Sequence, residues 1–223
     1  MSRFALLLVL LLTAGCTGSP DTRGPFPAGA ELVRDAATSF ASVRSVHFAA
    51  GVNGVLPGFP LRLIEGDATL DDGGAATGTA DVQDDGADGG HTKFRFTVRD
   101  GEITTDPDVA RGRIPSMYDV GTFLGPSAGL KRLLDGVTDA KTEGKENVDG
   151  AAALRVGGQV PEAVAHSVLP QVTADITVKV WVSADGPRRF ARLWVQVPSA
   201  GDHLSPVMFE LSLTRQNEPV DVG

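Results

Sequence analysis

The last third of the chain constrains the fold most. Three runs, Ile176-Val178-Val180-Val182, Ala191-Leu193-Val195-Val197 and Val207-Phe209-Leu211-Leu213, place an apolar residue at every second position. Successive side chains of an extended strand point to opposite faces, so a period of two marks a strand with one buried face. The first two runs are separated by SADGPRR (183–189), whose Asp, Gly and Pro favour a hairpin turn. Parallel neighbours need a crossover of a dozen or more residues, so strands joined this closely must be antiparallel. A chain of this kind builds an antiparallel sheet with one apolar face, and something has to cover that face.

The same pattern runs through the first half. Val46, Phe48, Ala50 and Val52 alternate with His47, Ala49, Gly51 and Asn53, and LPGFP (56–60) reads as a turn. A strand begins at Leu61 and fades at Asp71-Asp72-Gly73-Gly74. A weaker one over 75–83 puts Ala76, Gly78, Ala80 and Val82 on one face. Phe94, Phe96 and Val98 then oppose Lys93, Arg95, Thr97 and Arg99, and another strand falls near 153–160. Eight to ten strands must curl. Three segments read as helices. Leu32, Val33, Ala36, Phe40 and Val43 form one stripe. Leu130, Leu133 and Leu134 form another within 127–135, with Ser127 expected as its N-cap, and Pro161–Leu169 opens on a proline. Residues 104–126, interrupted by Pro107, Pro115 and Pro126, read as irregular. The expected fold class is α+β: a curved antiparallel β-sheet (half-barrel) with helices on the concave face. Small side chains there leave two possibilities open, an apolar space or a dry core at ordinary density.

Charge and composition exclude several functions. Acidic residues outnumber basic ones, 28 to 20, giving a net charge of −8, the wrong sign for phosphate backbones, so no nucleic-acid partner is expected. One cysteine supports neither a disulfide framework nor a thiolate zinc site. The four histidines, His47, His91, His166 and His203, show no metal-ligand spacing, and Asp84-Asp85-Gly86-Ala87-Asp88 has Arg95 where a calcium loop needs its Glu, so no metal is expected. Gly125-Pro126-Ser127-Ala128-Gly129 matches G-x-S-x-G, the turn that presents a hydrolase serine. The parallel strand such a turn must follow is missing, however, so the chain reads as a non-enzyme without cofactor.

The N-terminus reads as an export signal over 1–15. Arg3 is followed by the apolar run Phe4–Leu12, too short to span a bilayer, and then by Leu12-Thr13-Ala14-Gly15-Cys16. Small residues before a lone cysteine are similar to a bacterial lipobox, which implies lipidation of Cys16 and anchoring at the outer face of the plasma membrane. Residues 16–29, rich in Pro, Gly, Ser and Thr, read as a flexible tether, and 30–223 as the domain.

Stretches 45–70 (SVHFAAGVNGVLPGFPLRLIEGDATL), 98–101 (VRDG), 118–134 (YDVGTFLGPSAGLKRLL) and 137–160 resemble the mycobacterial LppX/LprA/LprF/LprG lipoproteins. The most specific elements are Tyr118-Asp119, Gly129-Leu130, Leu133-Leu134, Asp139-Ala140-Lys141, Glu143-Gly144 and Arg155-Val156. The resemblance implies a half-barrel with a hydrophobic cavity that takes the acyl chains of envelope lipids, glycolipid or triacylglycerol in type, and carries them across the cell envelope. A membrane lipid exporter is an implied partner. On that basis the cavity lining is expected from Phe40 on the first helix and Val46 and Phe48 on the first strand. Ala80 and Val82 would follow, then Phe94, Phe96 and Val98. Leu130 and Leu134 would face them from the second helix, and Ile176, Val178, Phe209 and Leu211 would complete the wall. The family's Trp-containing segment is replaced here by 104–116, which has no aromatic residue. The rival expectation is an envelope interaction protein with a packed core.

Overall fold

A computed structural model describes residues 20–71, 74–83, 90–107, 120–199 and 205–222. The first meander comprises β1 (Ser45–Asn53), β2 (Leu61–Thr69), β3 (Ala75–Gln83), β4 (His91–Arg99) and β5 (Glu102–Asp106). The second comprises β6 (Thr138–Val148), β7 (Ala151–Val160), β8 (Ile176–Ser183), β9 (Phe190–Val197) and β10 (Val207–Thr214). Every neighbouring pair is antiparallel, and β1 pairs with β10, for example Phe48 with Leu213, so the two meanders fuse into one ten-stranded sheet. Its order is β5-β4-β3-β2-β1-β10-β9-β8-β7-β6, which leaves β5 and β6 at the edges.

Alternation in the sequence becomes burial here. In β8, Ile176, Val178, Val180 and Val182 are buried while the residues between them are half-exposed. In β4, Phe94, Phe96 and Val98 face inward and Lys93, Arg95 and Arg99 outward. Two hairpins turn on Asp-Gly pairs with both residues at positive φ, Asp100-Gly101 (53° and 76°) and Asp149-Gly150 (50° and 85°). That is the backbone sense that matches the twist of paired strands. Gly78 has a different purpose: a Cβ there would collide with the Glu65 carbonyl, so it lets β2 and β3 approach rather than opening space inward.

Four helices lie among the described residues: α1 (Gly29–Phe40), α2 (Val120–Leu124), α3 (Gly129–Asp135) and α4 (Glu162–Val168). The expected stripe of α1 is buried, with Leu32, Val33, Ala36 and Phe40 each at most 3% exposed. Its first residue, Gly29, packs against β6, where a Cβ would be 2.7 Å from the Ala140 carbonyl oxygen. Phe40 meets Phe190 edge-on at 6.3 Å, filling one end of the sheet's hollow. α3 packs on α1, α2 and α4.

Several elements depart from the sequence expectation. The N-cap of α3 is Ala128 with no side-chain cap, so Ser127 does not cap it. The glycines around Ser127 serve packing. A Cβ on Gly129 would press on Phe123 and Val168 at 3.0 Å, and one on Gly125 would strike the Gly121 carbonyl. β5 and α2 fall at either end of the region expected to be irregular, and β6 had no alternation to reveal it. β6 is a polar edge strand interrupted by register shifts between Thr138 and Lys141 and between Thr142 and Gly144. Part of the expected tether is laid against it. Asp21 and Lys145 exchange both backbone hydrogen bonds at 2.8 Å, and the Thr142 hydroxyl donates to the Pro27 carbonyl at 2.6 Å. Cys16, the export signal, Asp84–Asp88, Tyr118-Asp119 and His203 lie outside the described residues.

Candidate functional site

Because β1 and β10 join the two meanders at the centre, the hollow of the sheet centres on them. α1 runs from Ala140 of β6, against which Gly29 packs, to the place where β8 turns into β9, where Phe40 meets Phe190; residues of α2, α3 and α4 lie over Ile176, Val195 and Val197. There the side chains do not meet, and a cavity of about 160 Å³ remains. The sheet contributes Phe48 and Val52 from β1, Leu61 and Ile64 from β2, and Phe209 and Leu211 from β10. Ile176 of β8 and Leu193, Val195 and Val197 of β9 extend that wall. The roof is Phe123 and Leu124 of α2, Leu133 of α3, Ala165 and Val168 of α4, and Leu169 and Val172 beyond it.

The lining is almost without polarity. Its one ionisable residue, Glu210, is exposed and its carboxylate is engaged by Arg192 at 3.2 Å. Phe59, from the turn between β1 and β2, meets Phe209 edge-on at 5.5 Å. The Gln171 amide donates to the Gly58 carbonyl at 3.3 Å, tying that turn to the segment after α4. An apolar void of this size costs roughly 4 kcal/mol at about 24 cal/mol per Å³. It is the volume that accommodates benzene, about 150 Å³, and falls short of an acyl chain.

A second void of about 10 Å³, room for no more than a water, lies under β3 and β4. Ile64, Ala80, Val82, Phe94, Phe96, Val98 and Ile103 line it. Ile64 borders both spaces and divides them.

Of the residues expected to line a cavity, Phe48, Ile176, Phe209 and Leu211 border the larger space, and Ala80, Val82, Phe94, Phe96 and Val98 the smaller. Phe40, Val46, Leu130, Leu134 and Val178 lie in the packed core and border neither. Sequence reasoning missed Phe59, Phe123 and Leu169, which come from a turn, a five-residue helix and a helix end, where no periodicity marks them. Leu193, Val195 and Val197 carried a signal in their alternation.

The His166 ring is hydrogen-bonded to the Val172 carbonyl at 3.1 Å. No three His, Cys, Asp or Glu among the described residues converge as a metal site, and none of their helices is long and apolar enough to cross a membrane.

The open, curved antiparallel sheet with helices on one face is a fold shared with two solved mycobacterial proteins. One is LprF from Mycobacterium bovis, with a TM-score of 0.73 and 21% identity over 92% of this chain and 98% of that one. The other is LppX from Mycobacterium tuberculosis, with a TM-score of 0.61 and 19% identity over 87% and 97%. Residues 28–222 match the LppX_LprAFG lipoprotein family, and the chain belongs to it. Similar relatives include the lipoarabinomannan carrier protein LprG of Mycobacterium leprae, 31% identical over 98% of this chain and 93% of the relative. That of Mycolicibacterium smegmatis is 33% identical over 82% and 81%.

Proposed function

We propose that this chain is a membrane-anchored lipoprotein without catalytic activity that binds acylated lipids, glycolipid or triacylglycerol in type, in its apolar cavity and carries them across the cell envelope. The observation that carries this reading is the cavity itself: about 160 Å³, walled by apolar side chains and roofed by three short helices. The relatives named as lipoarabinomannan carriers support the class of cargo, an acylated glycolipid. Burying hydrocarbon yields about 0.8 kcal/mol per methylene, so a chain of sixteen carbons supplies ample free energy to push the roof open. A multiply acylated lipid needs far more space than the cavity holds at rest, so its uptake would widen the cavity further. Cys16 would hold the carrier at the outer face of the plasma membrane, with a membrane lipid exporter as its partner.

Transfer of pyrene-labelled triacylglycerol between two vesicle populations tests the reading. The purified protein is expected to raise the transfer rate in proportion to its concentration. A rate equal to the spontaneous one, with no lipid bound, would overturn the proposal and favour an interaction protein with a packed core.

A further inference from the structure

The turn between β1 and β2 holds an apolar tip in water. Leu56 and Phe59 form an antiparallel bridge, the Phe59 N–H donates to the Leu56 carbonyl at 2.9 Å, and Gly58 takes a φ of 76° behind Pro57. Proline followed by a residue at positive φ makes a type II turn. Gly54, at a φ of 104°, sets the other arm against β10, where a Cβ would lie 3.2 Å from the Val207 Cα. Leu56 is buried and Phe59 meets Phe209, so both turn inward, and Val55 is left pointing out at 71% exposed. On the strand that leaves the turn, a register shift between Leu61 and Leu63 interrupts the alternation. Such a bulge re-aims side chains, and Arg62 and Leu63 are both exposed. Val55 and Leu63 are the exposed large hydrophobic residues among those described.

The tip borders the cavity and lacks charge. Phe59 and Leu61 line the space from the turn, and Leu169 and Val172 line it from the segment after α4, which Gln171 ties to Gly58. No Asp, Glu, Lys or Arg falls between Arg44 and Arg62, nor between Glu162 and Asp175, in a chain that is 22% charged. On the outside of these two segments Val55, Pro57 and Pro170 are exposed. One exposed apolar side chain is ordinary; an uncharged surface continuous with an apolar cavity is not. The surrounding charges favour one partner. A net charge of −8 repels the molecule as a whole from an anionic surface. Arg62, at the border of the tip, is exposed and held in no ion pair among the described residues, so it is free for a phosphate. Asp81, opposite Leu63, is engaged by His91 at 2.9 Å and Lys93 at 3.8 Å, and Asp175 accepts the Glu162 N–H at 2.8 Å.

We propose that the β1–β2 turn, residues 54–60, is the part of the domain that enters a lipid bilayer when cargo is exchanged, with Val55 and Pro57 in the acyl boundary and Arg62 on lipid phosphate. This rests on the lipid-carrier reading. Each methylene that crosses water between bilayer and cavity loses its burial. An uncharged rim seated about 5–10 Å into the boundary lets an acyl chain pass from one apolar environment to the other. A second protein copy fits less well: three exposed apolar residues fall far short of the roughly 20–30 residues a side of a stable interface, whereas a bilayer needs no matching surface.

The test uses residues 16–223 with Cys16→Ser, a chain that keeps every described element and has no other thiol. A nitrobenzoxadiazole probe is placed on Val55→Cys and, in a separate protein, on Asp185→Cys in the β8–β9 hairpin. Asn53 pairs with Met208, and Val207 with Val197 at the end of β9, so the hairpin that opens β9 lies at the opposite end of the sheet. On adding phosphatidylglycerol–phosphatidylethanolamine vesicles, emission at position 55 is expected to rise at least threefold with a blue shift, and to be quenched by lipids brominated on their acyl chains, while position 185 stays unchanged. No change at 55, or equal change at both positions, overturns the proposal. Blue-shifted emission without vesicles and a doubled mass in light scattering would overturn it too, giving the tip to a second copy. In the unlabelled chain, Val55→Asp is expected to slow transfer of pyrene-labelled triacylglycerol between vesicles at least tenfold while Tm and the amount of lipid bound stay within error; transfer at the wild-type rate overturns the proposal. Arg62→Glu is expected to weaken binding to these vesicles at least fivefold and to phosphatidylcholine vesicles less than twofold; equal losses on both overturn the phosphate contact. A wild type that transfers no lipid while its position 55 still enters the bilayer removes the carrier reading and leaves the tip a membrane contact without cargo.

Discussion

Ala165 offers the most economical way to close the cavity. It lies on α4, is 1% exposed, and lines the larger space. Ala165→Phe adds one phenyl ring at its Cβ. A cavity of about 150 Å³ accommodates a benzene ring, so the substitution consumes nearly all of the 160 Å³ present. The ring takes the place of about six chain carbons, roughly 5 kcal/mol at 0.8 kcal/mol each, or a loss in affinity of more than a thousandfold. Stability moves the other way. Filling the void recovers up to about 4 kcal/mol, less about 1–3 kcal/mol for imperfect fit. Tm is therefore expected to hold or rise by a few degrees. Fluorescence titration with a pyrene-labelled diacylglycerol, beside calorimetry on the same samples, reads both quantities. Wild-type affinity together with a raised Tm would mean that the lipid sits elsewhere. A Tm lowered by ten degrees would mean that the space is not free.

Other perturbations separate the parts of the site. Ala80→Trp forces an indole against a void of only about 10 Å³ beside Ile64; it is expected to weaken lipid binding and to cost about 1–3 kcal/mol in chemical denaturation, the binding read by competition. Gln171→Ala cuts the tie to Gly58, leaves the carbonyl of that exposed residue to water, and removes a buried amide oxygen that has no partner; uptake is expected to quicken in stopped-flow fluorescence with stability lowered by no more than about 1 kcal/mol. Ser127→Ala, at a position that caps no helix, is expected to change Tm by under one degree and transfer not at all. Gly129→Ala pushes Phe123 and Val168 apart and is expected to cost about 1–3 kcal/mol in chemical denaturation.

The sheet was legible wherever one face of a strand is buried and the other wet. β4, β8, β9 and β10 meet that condition, and their alternation in sequence is their alternation in space. β6 fails it: as an edge strand with two register shifts and Glu143, Lys145 and Glu146 along it, it carries the signature of a polar loop. Glu143 and Glu146 are nevertheless part of the fold, since Arg155 of β7 binds them at 2.7 and 3.2 Å. The tether misled for a related reason. Pro and Gly in 20–28 suggested a free linker, yet an extended chain needs no helical or strand propensity to lie along an unpaired edge. The cavity itself was legible only through family resemblance. Whether Leu130 packs a core or faces a void depends on where α1 and α2 stop, and no local pattern encodes that. Phe59 and Phe123 reach the site from elements of five residues or fewer, too short to show a period.

Native mass spectrometry of the chain purified from an actinobacterial host, beside its Ala165→Phe variant, examines the cavity as lipid site most directly. The wild type is expected to carry an acylated lipid at near one-to-one stoichiometry, released and identified on activation, and the variant to fly without it. A lipid-free wild type that takes up no added lipid, or equal loading of both proteins, would contradict the assignment.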